Sequence, residues 1–158
     1  GWIAAPEDVV RRCWGLRDYI SLSPGKLNDA LAVLAFRHRD QITERTREIV
    51  AQNLPFAEQW FAENADLVSW SPPQGGILAL MKYELEMSSL ALANHLAEEY
   101  SVMLAPGSAF GYEGYLRIGV GTSPHLFAEG LRQTAHCLRD LVNAGIPVRS
   151  MELAGTAD

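Results

Sequence analysis

The sequence predicts an α+β fold, in which a long helix leads into one small sheet with helices packed on one face. Three observations carry this. Apolar residues recur at helical spacing from Leu27 to Phe61. Four short apolar runs between Leu67 and Gly121 are punctuated by proline and glycine, as strands are. A last segment, opening at Thr122-Ser123-Pro124, carries an apolar stripe of helical period.

In chain order, residues 2–5 are apolar and short enough to close a strand. Pro6 suits a first helical turn, and Glu7 and Asp8 suit its positive dipole end, so a helix is expected to about Tyr19. ISLSPG at 20–25 reads as a loop. Leu27, Leu31, Leu34, Ile42, Ile49, Leu54 and Phe61 then mark the long helix, with the charged face RHRDQITERTRE between them. If continuous, its 36 residues from Leu27 to Ala62 span roughly 54 Å at about 1.5 Å each. Pro55 is expected to kink it, having no N–H to give and a ring that crowds the preceding turn. So long a helix suits a bridge between domains.

LVSW, GGILALMKY, SVMLAP and YLRIGVG are the strand candidates. A helix from about Ser89, read as its N-cap, separates the second from the third. In the final helix Phe127, Leu131, Leu138, Leu141 and Val142 form the stripe, Gly145 ends it, and the tail after Pro147 is expected to fray.

The 158 residues can bury a core of their own. Eleven arginines and two lysines lie dispersed among acids, with a net charge of -6, which argues against phosphate-backbone binding by this segment. Cys13 and Cys137 follow no metal or disulfide spacing and read as buried thiols of a reducing cytoplasm. No apolar run approaches the roughly 20 residues of a membrane span, and no signal peptide is visible. The start GWIAAPEDVV lacks a methionine and enters at once into core-type residues, so the expectation is a cloned or proteolytic piece of a longer protein.

Candidate chemistry is sparse. Gly119-Val-Gly121 lacks the third glycine of a dinucleotide loop, since position 124 is proline. His38, His95, His125 and His136 show no ligand spacing, so no metal site is expected, and no serine sits in a G-x-S-x-G elbow. Arg117 stands out. Alternation along EGYLRIGVG puts Tyr115, Arg117 and Gly119 on one face and Leu116, Ile118 and Val120 on the other. A guanidinium on such a strand needs an anion, because an unpaired buried charge is costly. Two readings stay open on spacing alone: an internal salt bridge to Glu84, Glu86 or Glu113, or a clamp whose planar fork takes a ligand carboxylate through two parallel hydrogen bonds.

Together, GWIAAP at 1–6, PPQGGILAL at 72–80, LAPGSAFG at 104–111 and YLRIGVG at 115–121 resemble the C-terminal part of the class I/II aminotransferases, fold-type I enzymes that use pyridoxal phosphate. The resemblance runs in register from Gly1 to about Val142. YISLSPGKLNDALAVLAFRHRD is further similar to a bacterial branch that includes capreomycidine-synthase-like enzymes. The resemblance implies residues 1–25 as a remnant of the large cofactor-binding domain, 26–62 as an interdomain helix, 63–145 as the small C-terminal domain and 146–158 as a tail. It implies Arg117 as the clamp for the substrate α-carboxylate, on a strand presented by Pro106, Gly107, Phe110 and Gly111. Trp2 matches the family's R-x-G-W segment, and the loop of Ser21 and Ser23 resembles one that reaches the neighbouring subunit's cofactor phosphate.

The resemblance places the Schiff-base lysine, in an S-x-K-x-x-G setting, ahead of Gly1. Neither Lys26 nor Lys82 has that setting, so no catalytic residue is expected in this chain, and none of the activity without the rest. What it implies for the whole is a cytoplasmic homodimer that moves an amino group between an amino acid and a 2-oxo acid. Elimination, condensation or cyclisation on the same fold is an alternative. So is the ligand-sensing domain of a transcription regulator, which a helix-turn-helix upstream would reveal, or a free-standing binding domain.

Overall fold

The computed structural model describes residues 3–21 and 25–149. The chain divides into two compact units, Gly1–Glu44 and Arg45–Asp158.

In the first unit, α1 (Glu7–Ile20) begins after Pro6, as expected from its proline and acidic first turn. The i,i+4 pairs Glu7–Arg11 and Asp8–Arg12 lie along its exposed surface. Residues 3–5 form no strand. Helix α2 (Lys26–Arg37) buries none of its residues, and Leu27, Leu31 and Leu34 all stand exposed. Trp2, Ser23 and the end of the tail, 150–158, lie outside the described residues.

The single long helix is two. The break falls at His38, where φ is -106° and ψ 15°. The His38 N–H is shared between the carbonyls of Leu34 and Ala35, each at 3.2 Å, which tightens and closes α2. Arg37 in its last turn and Asp40 in the first turn of α3 (Arg39–Glu63) each suit the helix end they occupy. Pro55, the expected kink, sits inside an uninterrupted α3. One lost backbone bond is outweighed there, because Ala57, Trp60 and Phe61 just beyond it are buried in the core.

The second unit holds an antiparallel sheet in the order β1-β2-β4-β3, built from β1 (Val68–Trp70), β2 (Leu78–Tyr83), β3 (Ala105–Pro106) and β4 (Tyr115–Gly119). SVMLAP contributes only its last two residues, since Ser101 takes a left-handed conformation as the C-cap of α4 (Ser89–Tyr100). The N-cap of α4 is Ser88, whose hydroxyl accepts from the Ala91 N–H; Ser89 is already helical. Helix α5 (Pro124–Asn143) starts as expected at Ser123 and Pro124.

Period-2 alternation gives the sheet one buried face. Val68, Ala79, Met81, Tyr83, Leu116 and Ile118 join one core with Leu92 and Leu96 of α4, Phe127, Leu131 and Leu138 of α5, and the end of α3. Buried Asn53 ties α3 to the far end of β4, donating to the carbonyls of Val120 (2.9 Å) and Thr122 (2.7 Å). The tail does not fray directly after Pro147. Val148 bridges to Leu85, and the Glu86 N–H donates to the Pro147 carbonyl. Cys137 is buried, but Cys13 is only half-buried.

Candidate anion-binding site

The other sheet face carries the polar residues. In register, Arg117 lies opposite Leu80 of β2 and Ala105 of β3, and Tyr115 opposite Lys82. Arg117, Tyr115 and Gly119 are half-buried while Leu116 and Ile118 are buried, which is the alternation the sequence predicts. A cleft of about 480 Å³ over this face includes Leu80, Lys82, Tyr112 and Tyr115.

None of the three expected acids pairs with Arg117. Glu84 is buried and taken by Lys82 (Nζ–Oε1 2.8 Å). Glu113 accepts from the Ser89 N–H (2.5 Å), the Ser89 hydroxyl (3.1 Å), the Gly114 N–H (3.3 Å) and the Tyr83 hydroxyl (3.4 Å). These donors, the Ser89 N–H foremost, hold its carboxyl below the usual range. Glu86 is exposed, and no ion pair joins its carboxylate to Arg117. Among the described residues no carboxylate lies within ion-pair distance of Arg117.

The contact Arg117 does make is with an aromatic ring. Its Cζ lies 4.4 Å from the centroid of Phe110, the last residue of the short 3-10 turn Gly107–Phe110. A contact of this kind supplies no acceptor oxygen to the guanidinium N–H groups, so their demand for an anion stands. The turn is tight. A Cβ on Gly107 would fall 2.0 Å from the Tyr112 carbonyl oxygen, and Gly111 leaves the turn at φ 79°.

Of the other sequence candidates, Ser21 is an exposed C-cap of α1, its N–H donating to the Arg17 carbonyl. Lys26 is exposed at the first position of α2, and Lys82 is ion-paired with Glu84. Neither amine sits free in an enclosed cavity, so neither fits a covalent aldehyde cofactor. Among the described residues no group of three or more His, Cys, Asp or Glu is arranged to hold a metal. No helix of theirs is long and apolar enough to cross a membrane. Sequence reasoning named Ser89 as a helix cap and Glu113 as a partner for Arg117, but missed that the two bond each other. The available signal was the Ser88-Ser89 doublet, of which only one hydroxyl can cap the helix.

The fold and this face define a small α+β domain that presents an arginine on an open sheet surface. The chain belongs to the aminotransferase class I and II family, which it matches over residues 1–133. It is 30% identical over 120 residues to capreomycidine synthase of Streptomyces vinaceus, covering 75% of this chain and 31% of the synthase. A PLP-dependent aminotransferase from Streptococcus suis 89-1591 superposes with a TM-score of 0.76 at 32% identity, over 89% of this chain and 37% of that one. The PLP-dependent cyclase OrfR does so with a TM-score of 0.75 at 28% identity, over 87% and 38%. The chain thus spans between 31% and 38% of these relatives' lengths.

Proposed function

We propose that this chain supplies the substrate-carboxylate clamp of a PLP-dependent enzyme that transfers an amino group between an amino acid and a 2-oxo acid. One observation carries the reading. Arg117 is half-buried, its guanidinium carbon lies over the Phe110 ring, and no acid of the described residues pairs with it. A fork held this way offers two parallel N–H donors to an incoming carboxylate, and binding orients the amino acid's Cα. In this reading residues 1–25 belong to the large domain, 26–62 link it to the small domain 63–145, and 146–158 form a tail. The assembly is a cytoplasmic homodimer in which Ser21 and Ser23 approach the neighbouring subunit's cofactor phosphate, with the covalent lysine outside this chain.

A second reading, cyclisation of an amino acid, draws support from the likeness to capreomycidine synthase and to the cyclase OrfR. It leaves Arg117 in the same role, because either reaction starts from an amino-acid carboxylate.

The test is Arg117→Ala and Arg117→Lys in the full-length enzyme, assayed with an amino acid and with its carboxamide. Truncation leaves a carboxylate without its partner, about 3 kcal/mol, or a roughly hundredfold loss in kcat/KM. Lys keeps the charge but not the fork and is expected to fall between. Preference for the acid over the amide should collapse. An unchanged kcat/KM for the acid in Arg117→Ala sinks the clamp.

A further inference from the structure

We propose that Glu113 is a positioning residue for the Arg117 clamp, acting through Ser89 and the 107–111 turn that carries Phe110. The inference rests on the clamp reading and adds the device that aims the fork.

Working back from the guanidinium, the group it lies over is the ring of Phe110, whose centroid is 4.4 Å from Cζ. Phe110 ends a turn of four residues, too short to hold its shape by helical hydrogen bonding alone. The turn has two kinds of anchor. Inside it, the Tyr112 N–H donates to the Gly107 carbonyl (2.9 Å) and the Gly111 N–H to that of Ser108 (3.2 Å). Outside it, the Ser108 N–H donates to the Ser89 hydroxyl oxygen at 3.1 Å.

That oxygen can serve Ser108 only while its own proton points elsewhere. Ser89 is fully buried, and its proton is taken by Glu113 Oε2 at 3.1 Å, while its N–H goes to Oε1 at 2.5 Å. A hydroxyl that donates to a carboxylate presents its lone pairs to an amide donor, so the Glu113 charge sets the direction of the whole chain of bonds. The same carboxylate takes the Gly114 N–H, one residue before β4, and the Tyr83 hydroxyl at the end of β2. One acid therefore joins the start of α4, the end of β2, the start of the arginine strand and, through Ser89, the turn beneath the arginine. Its donors keep it ionised at neutral pH, so it accepts and does not donate.

Glu113→Gln keeps the shape but adds an amide donor, which faces either the Ser89 N–H or the Ser89 hydroxyl. In the first case two donors meet at the shortest contact of the network and push Ser89 away; in the second the hydroxyl must turn its proton away from residue 113 and takes a second donor on the oxygen that serves the Ser108 N–H. The turn, and Phe110 with it, loses its fixed position. Phe110→Leu tests the last link without touching the network, so a folding failure of one variant leaves the other informative.

The first readout is the Arg117 Nε–H proton resonance in the 158-residue protein, which the Phe110 ring current displaces. Phe110→Leu removes the displacement, and Glu113→Gln is expected to reduce it as well. A Glu113→Gln spectrum that keeps the wild-type displacement overturns the proposal.

The second readout is kcat/KM in the full-length enzyme. Misplacing the fork by about 1 Å is expected to lose on the order of 10- to 100-fold, mainly through KM for the amino acid. In the Arg117→Ala background, Glu113→Gln should then cost nothing further, because it acts through the arginine. A full Glu113→Gln penalty persisting without Arg117 refutes the positioning role and leaves the clamp standing. An Arg117→Ala enzyme of wild-type activity refutes the clamp itself.

Discussion

Asn53 offers a test of how β4 is held at the end beyond Arg117. Both amide hydrogens of its buried side chain are spent, on the carbonyls of Val120 and Thr122. The two acceptors are not equivalent. Val120 is fully buried, so losing its donor leaves a carbonyl with neither protein nor water, about 1–3 kcal/mol. Thr122 is exposed, and water can replace the amide there at a net loss of only about 1 kcal/mol. Alanine's better helix propensity returns about 0.5 kcal/mol within α3. Asn53→Ala is therefore expected to destabilise by roughly 1.5–3.5 kcal/mol, read as a lower urea midpoint at unchanged m-value. Asn53→Asp should be worse at neutral pH, because its carboxylate faces two carbonyl oxygens, and should recover on acidification as a proton returns one donor. An Asn53→Ala protein within about 0.5 kcal/mol of wild type refutes the tether, since that is the range of a surface substitution.

Two further outcomes are expected. With Ellman's reagent the native protein should react at half-buried Cys13, while Cys137, whose thiol burial pushes up to about 11, reacts only after denaturation; equal rates for both would contradict the burial. Glu129, lowered from 4.5 to about 2 chiefly by its bonds from Arg132, binds its proton more readily in the unfolded chain, so its contribution is intact above pH 4.5 and is lost as pH falls through about 2. Glu129→Gln should flatten that part of the stability–pH curve, and a curve that keeps its full slope would show that other carboxylates govern it.

The residues themselves determine much of this domain, because a strand's face and a helix's stripe depend on neighbours two to four positions away. Alternation in YLRIG suffices to put Arg117 on the face opposite Leu116 and Ile118, and Ser123-Pro124 suffices to start α5. Which charge meets which is a different matter. Glu84, Glu86 and Glu113 were equal candidates for Arg117 by spacing, and only the folded chain gives the first to Lys82 and the third to Ser89. The Glu113–Ser89 contact joins residues 24 apart, and the ring of Phe110 reaches Arg117 across a turn that no periodicity describes. Helix continuity divides the same way. Local chemistry alone leads one to expect a bend at Pro55 in one long helix; packing of Ala57, Trp60 and Phe61 keeps α3 helical through Pro55, and the break falls instead at His38. Local preferences are worth a few tenths to a few kcal/mol per residue, and burial of several side chains against a common core exceeds them. The sequence by itself therefore determined most of the elements and which way their side chains point, while tertiary packing decided where helices break and which side chains meet, because those contacts join residues that no local period connects.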